Sequence, residues 1–206
     1  MLTKEEWWNN MSNVNELMFP WQFVMLLIAA ILVILIAIKP SKLSSSLIKL
    51  YMIIAFGWIG IGFSGIISEN YIGAVLFSSI AIFFGIDIYK QKLQFAFPKN
   101  KSQKIISSIW LIIIFSYPII GLALGHDSSE IFMIGTYPCP TTSLGLVMMT
   151  FALPRVNKTL YGLLLFWSVF SIPAIIIYSV FEDTILLISG IYAVVILIIN
   201  KKQLSR

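Results

Sequence analysis

Apolar residues are grouped along the chain into seven runs, and short polar segments separate these runs. Each run is close to the length that a helix needs to cross a bilayer, since about 20 residues at about 1.5 Å per residue cover a hydrocarbon core of about 30 Å. The pattern predicts an all-α membrane protein, a bundle of seven transmembrane helices in a single domain over residues 1–206. The predicted spans are residues 21–38, 47–68, 71–89, 105–124, 131–153, 160–178 and 184–199.

Residues 1–20 are polar and aromatic instead of uniformly apolar, and they include Trp7 and Trp8. Tryptophan side chains concentrate at the boundary between lipid and water. We therefore expect a short interfacial helix that lies on the bilayer with both tryptophans at the depth of the headgroups. The alternative for this segment is a frayed polar tail.

The fifth run differs from the others because two prolines flank the only cysteine, at Pro138-Cys139-Pro140. Proline lacks a backbone N–H and clashes with the preceding turn, so a helix breaks at this point. We expect a new helix to start at Pro140, with the next hydroxyl groups satisfying its open N–H groups. The run Pro140–Leu153 covers only about 21 Å, so the residues before the break must enter the membrane as well.

Composition agrees with a membrane protein and removes several classes of function. Hydrophobic residues make up 59% of the 206 residues, charged residues make up 11%, and the mean hydropathy is +0.93. One cysteine and one histidine exclude an intramolecular disulfide and a zinc site built from several histidines. The net charge of +5 does not indicate nucleic acid as a partner, because the basic residues lie in short loops between apolar runs.

The distribution of lysine and arginine supports seven crossings. These residues accumulate on the cytoplasmic side of membrane proteins. With seven spans and the N-terminus outside, 13 of the 14 basic residues lie on the cytoplasmic side and only Lys4 lies outside. Without a crossing at Pro138-Cys139-Pro140, Arg155, the residues after it and the C-terminus would move outside. The charges therefore predict a multi-pass protein of the cell membrane whose broken fifth run crosses and whose C-terminus is cytoplasmic.

Two further positions carry expectations about packing and charge. Gly60 and Ser64 lie four residues apart in the second span, and small residues at this spacing let two helices approach closely. Asp87 lies near the end of the third span beside Lys90, where we expect an interfacial ion pair. A role for Asp87 in proton transfer is the alternative.

The break and the start of the last span supply the candidate ligand-binding residues. These residues are Cys139, Thr141, Thr142, Ser143, Glu182 and Asp183. A thiol at a helix N-terminus can act as a nucleophile or bind a soft metal, and the alternative is a small apolar filler. A metal site would use His126, Cys139 and Asp183, unless the acids are simply solvated in outer loops. The sequence indicates no catalytic group and no cofactor.

Several short motifs resemble a known family. They are Asn15, Phe19-Pro20 and Gln22, then Gly135, Pro138-Cys139-Pro140-Thr141-Thr142 and Leu144-Gly145, and finally Glu182-Asp183 before the last span. In these features the chain resembles, over nearly its whole length, the prokaryotic multi-span family catalogued as domain of unknown function 6064. The resemblance implies a helical membrane protein and implies no catalytic residues.

Two classes of function fit these observations. The first is transport or permeation of a small solute or ion at the broken fifth span, because broken helices in transporters expose backbone groups at depth. A chain of this size would need a homo-oligomer to move much substrate, and the glycine face of the second span offers a surface for it. The second is an accessory or sensor protein that binds a partner through its outer acidic face. An enzyme that uses Cys139 is a third alternative.

Overall fold

The computed structural model describes residues 3–200, and every regular element in that range is helical. The all-α prediction is thus confirmed for the described residues. Lys201, Lys202 and Arg206, which we expect in the cytoplasm, lie outside them. The helices are α1 (Lys4–Met18), α2 (Trp21–Ile38), α3 (Lys42–Gly57, continued by a π-helix over Trp58–Ile67), α4 (Tyr71–Lys90), α5 (Lys101–Phe115), α6 (Tyr117–Ala123), α7 (Pro138–Phe151), α8 (Lys158–Phe170), α9 (Ile172–Tyr178) and α10 (Thr184–Ile199, preceded by a 3-10 turn over Phe181–Asp183).

Five helical stretches among the described residues are long and apolar enough to cross a membrane. The pair α5 and α6 makes a sixth if it counts as one span, although the two helices meet at an angle of 58°. This bend lies at Ser116, two residues before Pro118, and proline is a common cause of such kinks. The fifth predicted span is not among these stretches, because α7 has only 14 residues and residues 131–137 before it are not helical.

Helix α7 lies at the centre of the bundle. It packs against α3, α5, α8 and α10, and all of its residues except Cys139 are buried. The helix begins at Pro138 and not at Pro140, because proline is well suited to the first helical position and the N–H that Pro140 lacks also belongs to the first turn. The helix with the strongest break signal is therefore also the most buried helix among the described residues.

Helix α1 packs onto one end of the bundle, which we call the α1 end. Thr3 and Glu6 form a capping box that starts the helix, and the two hydrogen bonds from Thr3 lower the pKa of the Glu6 carboxyl. The helix is present as expected, but Trp8 is buried. Its indole Nε1 donates to the carbonyl oxygen of Tyr178 at 3.1 Å. Trp8 thus packs inside the protein against α9, and the position of α1 at a bilayer surface stays a prediction.

The small-residue face of the second span is buried, as predicted. A Cβ atom on Gly60 would lie 2.6 Å from the Oγ atom of Ser78 and 2.7 Å from its backbone nitrogen, both on α4. Ser64 is also buried, and a Cβ atom on Gly73 of α4 would lie 3.1 Å from its Oγ atom. Because α4 fills this face within the chain, it is not the surface for a homo-oligomer that the sequence indicated.

Asp87 pairs with a different lysine from the expected one. Its Oδ2 atom lies 2.8 Å from the Nζ atom of Lys49, and the two side chains are 3% and 0% exposed. Helix α3 begins at Lys42, earlier than the predicted span boundary at residue 47, so Lys49 lies within the helix and not at its end. The same Asp87 oxygen accepts a hydrogen bond from the backbone N–H of Leu93, which draws the chain after α4 back into the bundle. The expected pair with Lys90 is therefore wrong.

Candidate functional site

A cavity of about 180 Å³ lies at the α1 end, where the non-helical segment 131–137 turns into α7. Six aromatic rings form most of its walls, and a few polar groups from α7, the start of α10 and the ends of two other helices complete it. The lining residues are Trp7, Met11, Phe63, Ser68, Asn70, Phe132, Tyr137, Pro138, Cys139, Pro140, Trp167, Phe170, Ser171, Ala174 and Asp183. Apolar walls with a small number of polar groups are typical of small-molecule sites.

Segment 131–137 is irregular backbone that is buried throughout. Side chains from other helices donate to two of its carbonyl groups. The Nδ2 group of Asn15 donates to the carbonyl oxygen of Ile131 at 2.9 Å, and the indole Nε1 of Trp58 donates to that of Thr136 at 3.1 Å. Non-helical backbone at membrane depth is tolerated when protein surrounds it in this way.

Gly135 lets the backbone of the turn before α7 approach its neighbours closely. Its φ of +94° lies in the region that favours glycine, and a Cβ atom there would lie 2.8 Å from the Cβ atom of Met25. Its backbone N–H donates to the Oγ1 atom of Thr141 at 2.8 Å. The turn thus ties segment 131–137 to the first turn of α7.

The three hydroxyl groups expected at the site are buried and belong to the helix start. Thr141 donates from Oγ1 to the carbonyl oxygen of Tyr137 at 2.6 Å, and Ser143 donates from Oγ to that of Cys139 at 3.0 Å. The Oγ1 atom of Thr142 has no hydrogen-bond partner among the described residues. None of the three residues is among those that line the cavity. The hydrogen bonds of Thr141 and Ser143 therefore stabilise the start of α7, and those of Thr141 also fix the turn before it.

Cys139 and Asp183 come together at the cavity as the sequence suggested. The thiol Sγ of Cys139 donates to Oδ2 of Asp183 at 3.0 Å, and both residues line the cavity. The phenol Oη of Tyr117 donates to the other carboxyl oxygen, Oδ1, at 2.6 Å. Sequence reasoning missed Tyr117, because a tyrosine inside an apolar run has no spacing relation to a residue 66 positions later. Its position beside Pro118, at the kink, is the one signal that could have indicated it.

Glu182 faces a different group from its neighbour Asp183. Its Oε2 atom lies 3.3 Å from Nε2 of His126, and the Nδ1 atom of His126 lies 4.0 Å from Oε2 of Glu130. The imidazole ring also packs on Trp8 of α1, with ring centroids 4.2 Å apart. His126 thus contacts Glu182 and Trp8 of α1. Among the described residues no group of three or more His, Cys, Asp or Glu side chains could hold a metal ion. The candidate set of His126, Cys139 and Asp183 is therefore not brought together.

Comparison with known families gives one result that covers almost the whole chain. The sequence profile described as "Family of unknown function (DUF6064)" matches residues 4–206. The chain belongs to this family. The match agrees with the resemblance seen in the short motifs and assigns no activity to the DUF6064 chain. No curated protein and no solved structure matches it. The function of this family member must therefore be argued from the cavity.

Proposed function

We propose that this DUF6064 protein is a multi-pass protein of the cell membrane that binds a small solute in the cavity at its α1 end, as the first step in transporting that solute. The observation that carries the proposal is the cavity itself. It joins aromatic walls to Cys139 and Asp183 at the N-terminal end of a short helix that is enclosed by protein. Transporters place substrate sites at such helix breaks, because an irregular backbone can be tolerated there only beside protein or a cavity.

The proposed topology has seven crossings, with the N-terminus outside and the C-terminus in the cytoplasm. Contacts between loops support it. Residues 90–92 and 155–156 line one common pocket, and residues 94–103 line another together with Ile199 and Asn200. The carbonyl oxygen of Phe151, the last residue of α7, accepts from Ala96 N at the same end. These contacts place the last residue of α7 beside the lysine-rich segment 90–104, away from the α1 end, and so support the proposal that α7 crosses despite its length.

The structure gives less support to the alternative of a partner bound through an outer acidic face. Glu182 and Asp183, which the sequence assigns to that face, are each only 2% exposed and are bound to groups inside the protein. A buried carboxylate is not available to a partner protein. The cavity is thus the feature of the α1 end that best supports a function.

Topology is tested with reporter fusions at Ser128 and Arg206. Seven crossings require the two reporters to be on opposite sides of the membrane, with the reporter at Ser128 outside. Signals from the same side at both positions would contradict the proposed crossing of α7.

Solute binding is tested by screening compounds for stabilisation of the purified protein against thermal unfolding. Ala174 lines the cavity, so Ala174→Leu should fill it, whereas Ala174→Ser leaves its volume almost unchanged. We expect a cavity solute to raise the unfolding temperature of the wild type and the serine variant but not that of the leucine variant. A compound that stabilises all three proteins equally binds elsewhere. If no compound distinguishes the leucine variant from the other two, the proposed site is wrong.

A further inference from the structure

The cavity contains one acid and no basic side chain. Asp183 is the only Asp or Glu among its described lining residues, and no Lys, Arg or His is among them. His126 does not serve as a counter-ion, because its Nε2 atom lies 3.3 Å from Oε2 of the neighbouring Glu182. Any ligand in the cavity therefore meets a single carboxyl group that has no cationic partner among the described residues.

Burial makes this arrangement costly for an ionised carboxylate. Asp183 is 2% exposed, and its two hydrogen-bond donors are the neutral hydroxyl of Tyr117 and the neutral thiol of Cys139. Hydrogen bonds from neutral groups offset only part of the loss of solvation, and a nearby positive charge offsets much more. A cation in the cavity would supply the positive charge that the described lining residues lack.

The walls of the cavity also suit a cation. The faces of aromatic rings attract ammonium groups, and several rings around one position form the cages that bind quaternary ammonium ligands. Here the ring of Tyr137 lies 4.8 Å from that of Phe132 and 5.6 Å from that of Phe63, measured between centroids. Trp7, Trp167 and Phe170 line the same cavity. The carbon atoms of an organic cation would be buried against these rings.

The size of the cavity limits the ligand. A dry cavity of about 150 Å³ holds a molecule of the size of benzene, and this cavity is about 180 Å³. One carboxyl group matches one positive charge. We infer that the cavity binds a small organic monocation, with its ammonium group beside Asp183 and its carbon atoms against the aromatic walls. This inference rests on the proposed solute site and names the chemical class of the solute.

The test compares a cation with a neutral molecule of the same shape. Choline and 3,3-dimethylbutan-1-ol differ by the replacement of a quaternary nitrogen by carbon. Binding of each to the purified protein is followed by titration calorimetry and by the fluorescence of the cavity tryptophans. We expect choline to bind at least about tenfold more tightly than the alcohol, as for an interaction with a charged group.

Asp183→Asn keeps the shape of the side chain and removes its charge, and Glu182→Gln is the matched control at an equally buried acid outside the cavity lining. We expect the asparagine variant to bind choline and the alcohol with similar affinity, and the glutamine variant to keep the preference for choline. Binding of the alcohol by the asparagine variant shows that the cavity is intact. Equal loss of the preference in both acid variants would overturn the inference.

A second variant keeps the inference testable if Asp183→Asn does not fold. Trp167→Leu removes one aromatic wall, and we expect it to weaken choline binding by about threefold to thirtyfold relative to any change for the alcohol. Equal affinity of the wild type for choline and the alcohol would refute the cation while leaving a solute site in place. Failure of both molecules and of every other cavity-sized compound to bind would refute the solute site as well.

Discussion

Replacement of Gly60 by alanine tests a close contact between the π-helix and α4. The added Cβ atom would lie 2.6 Å from Oγ of Ser78, 2.7 Å from its backbone nitrogen and 3.2 Å from the carbonyl oxygen of Ala74. The hydroxyl of Ser78 can rotate, but two of these three atoms belong to the backbone of α4. Relief of the contact therefore requires α4 to move away from the π-helix.

The magnitude follows from two opposing effects. Alanine is favoured over glycine inside a helix by about 1 kcal/mol. Insertion of a methyl group into a well-packed core costs about 1–3 kcal/mol, and we take the upper part of that range because the backbone must shift. Gly57 lies one turn earlier, and a Cβ atom there has no atom within 4 Å, so Gly57→Ala keeps the first effect and lacks the second.

We expect Gly60→Ala to lower the free energy of unfolding by about 2 kcal/mol and Gly57→Ala to raise it by up to about 1 kcal/mol. The free energy is measured by reversible unfolding of each purified variant in mixed detergent micelles. The difference of about 3 kcal/mol between the variants is the informative quantity, since it removes helix propensity. Two variants of equal stability would refute the close packing of the π-helix on α4.

Two further predictions concern buried features. Lys49→Met should lower the free energy of unfolding by about 3–5 kcal/mol, because it leaves Asp87 buried without a charged partner. Adding Asp87→Leu should restore most of this loss in the same unfolding assay. A double variant no more stable than Lys49→Met alone would contradict a buried ion pair. Gly135→Ala should lower the free energy of unfolding more than Gly125→Ala does. Both positions have a positive φ (+94° and +96°), but only Gly135 has close neighbours. Equal losses in the two variants would contradict the close contact between Gly135 and Met25.

Sequence patterns predicted the helical class, the break before α7 and the meeting of Cys139 with Asp183. These features could be predicted because the effect of proline on a helix and the polarity at the ends of apolar runs can be read from short stretches of sequence. The ion pair of Lys49 was not predictable in the same way. The cap of α3 uses Ser41 and Ser44 and lacks the Glu or Gln of the usual capping signature, so the predicted span begins later, at residue 47, and places Lys49 near its basic end instead of inside the helix.

Other parts of the site depend on tertiary contacts that leave no spacing in the sequence. Tyr117 reaches Asp183 only because α5 and α6 meet at 58°, and the size of that angle is set by packing. Trp8 is buried because α9 and the segment before α7 offer it a carbonyl oxygen and two ring faces. The composition of α1 is typical of a helix that lies on lipid, so the sequence alone could not show that Trp8 is buried in the protein.

Reactivity of Cys139 tests the central claim, that a solute enters the cavity from the α1 end. It is the only cysteine of the chain and the only residue of α7 that is not fully buried, so labelling reports on this one position, with Cys139→Ser as the control for background. In membrane vesicles that keep the outer face outside, we predict that a membrane-impermeant methanethiosulfonate modifies Cys139 and that choline slows the modification in proportion to its occupancy. A thiol that is inert to impermeant and permeant reagents alike would contradict the account.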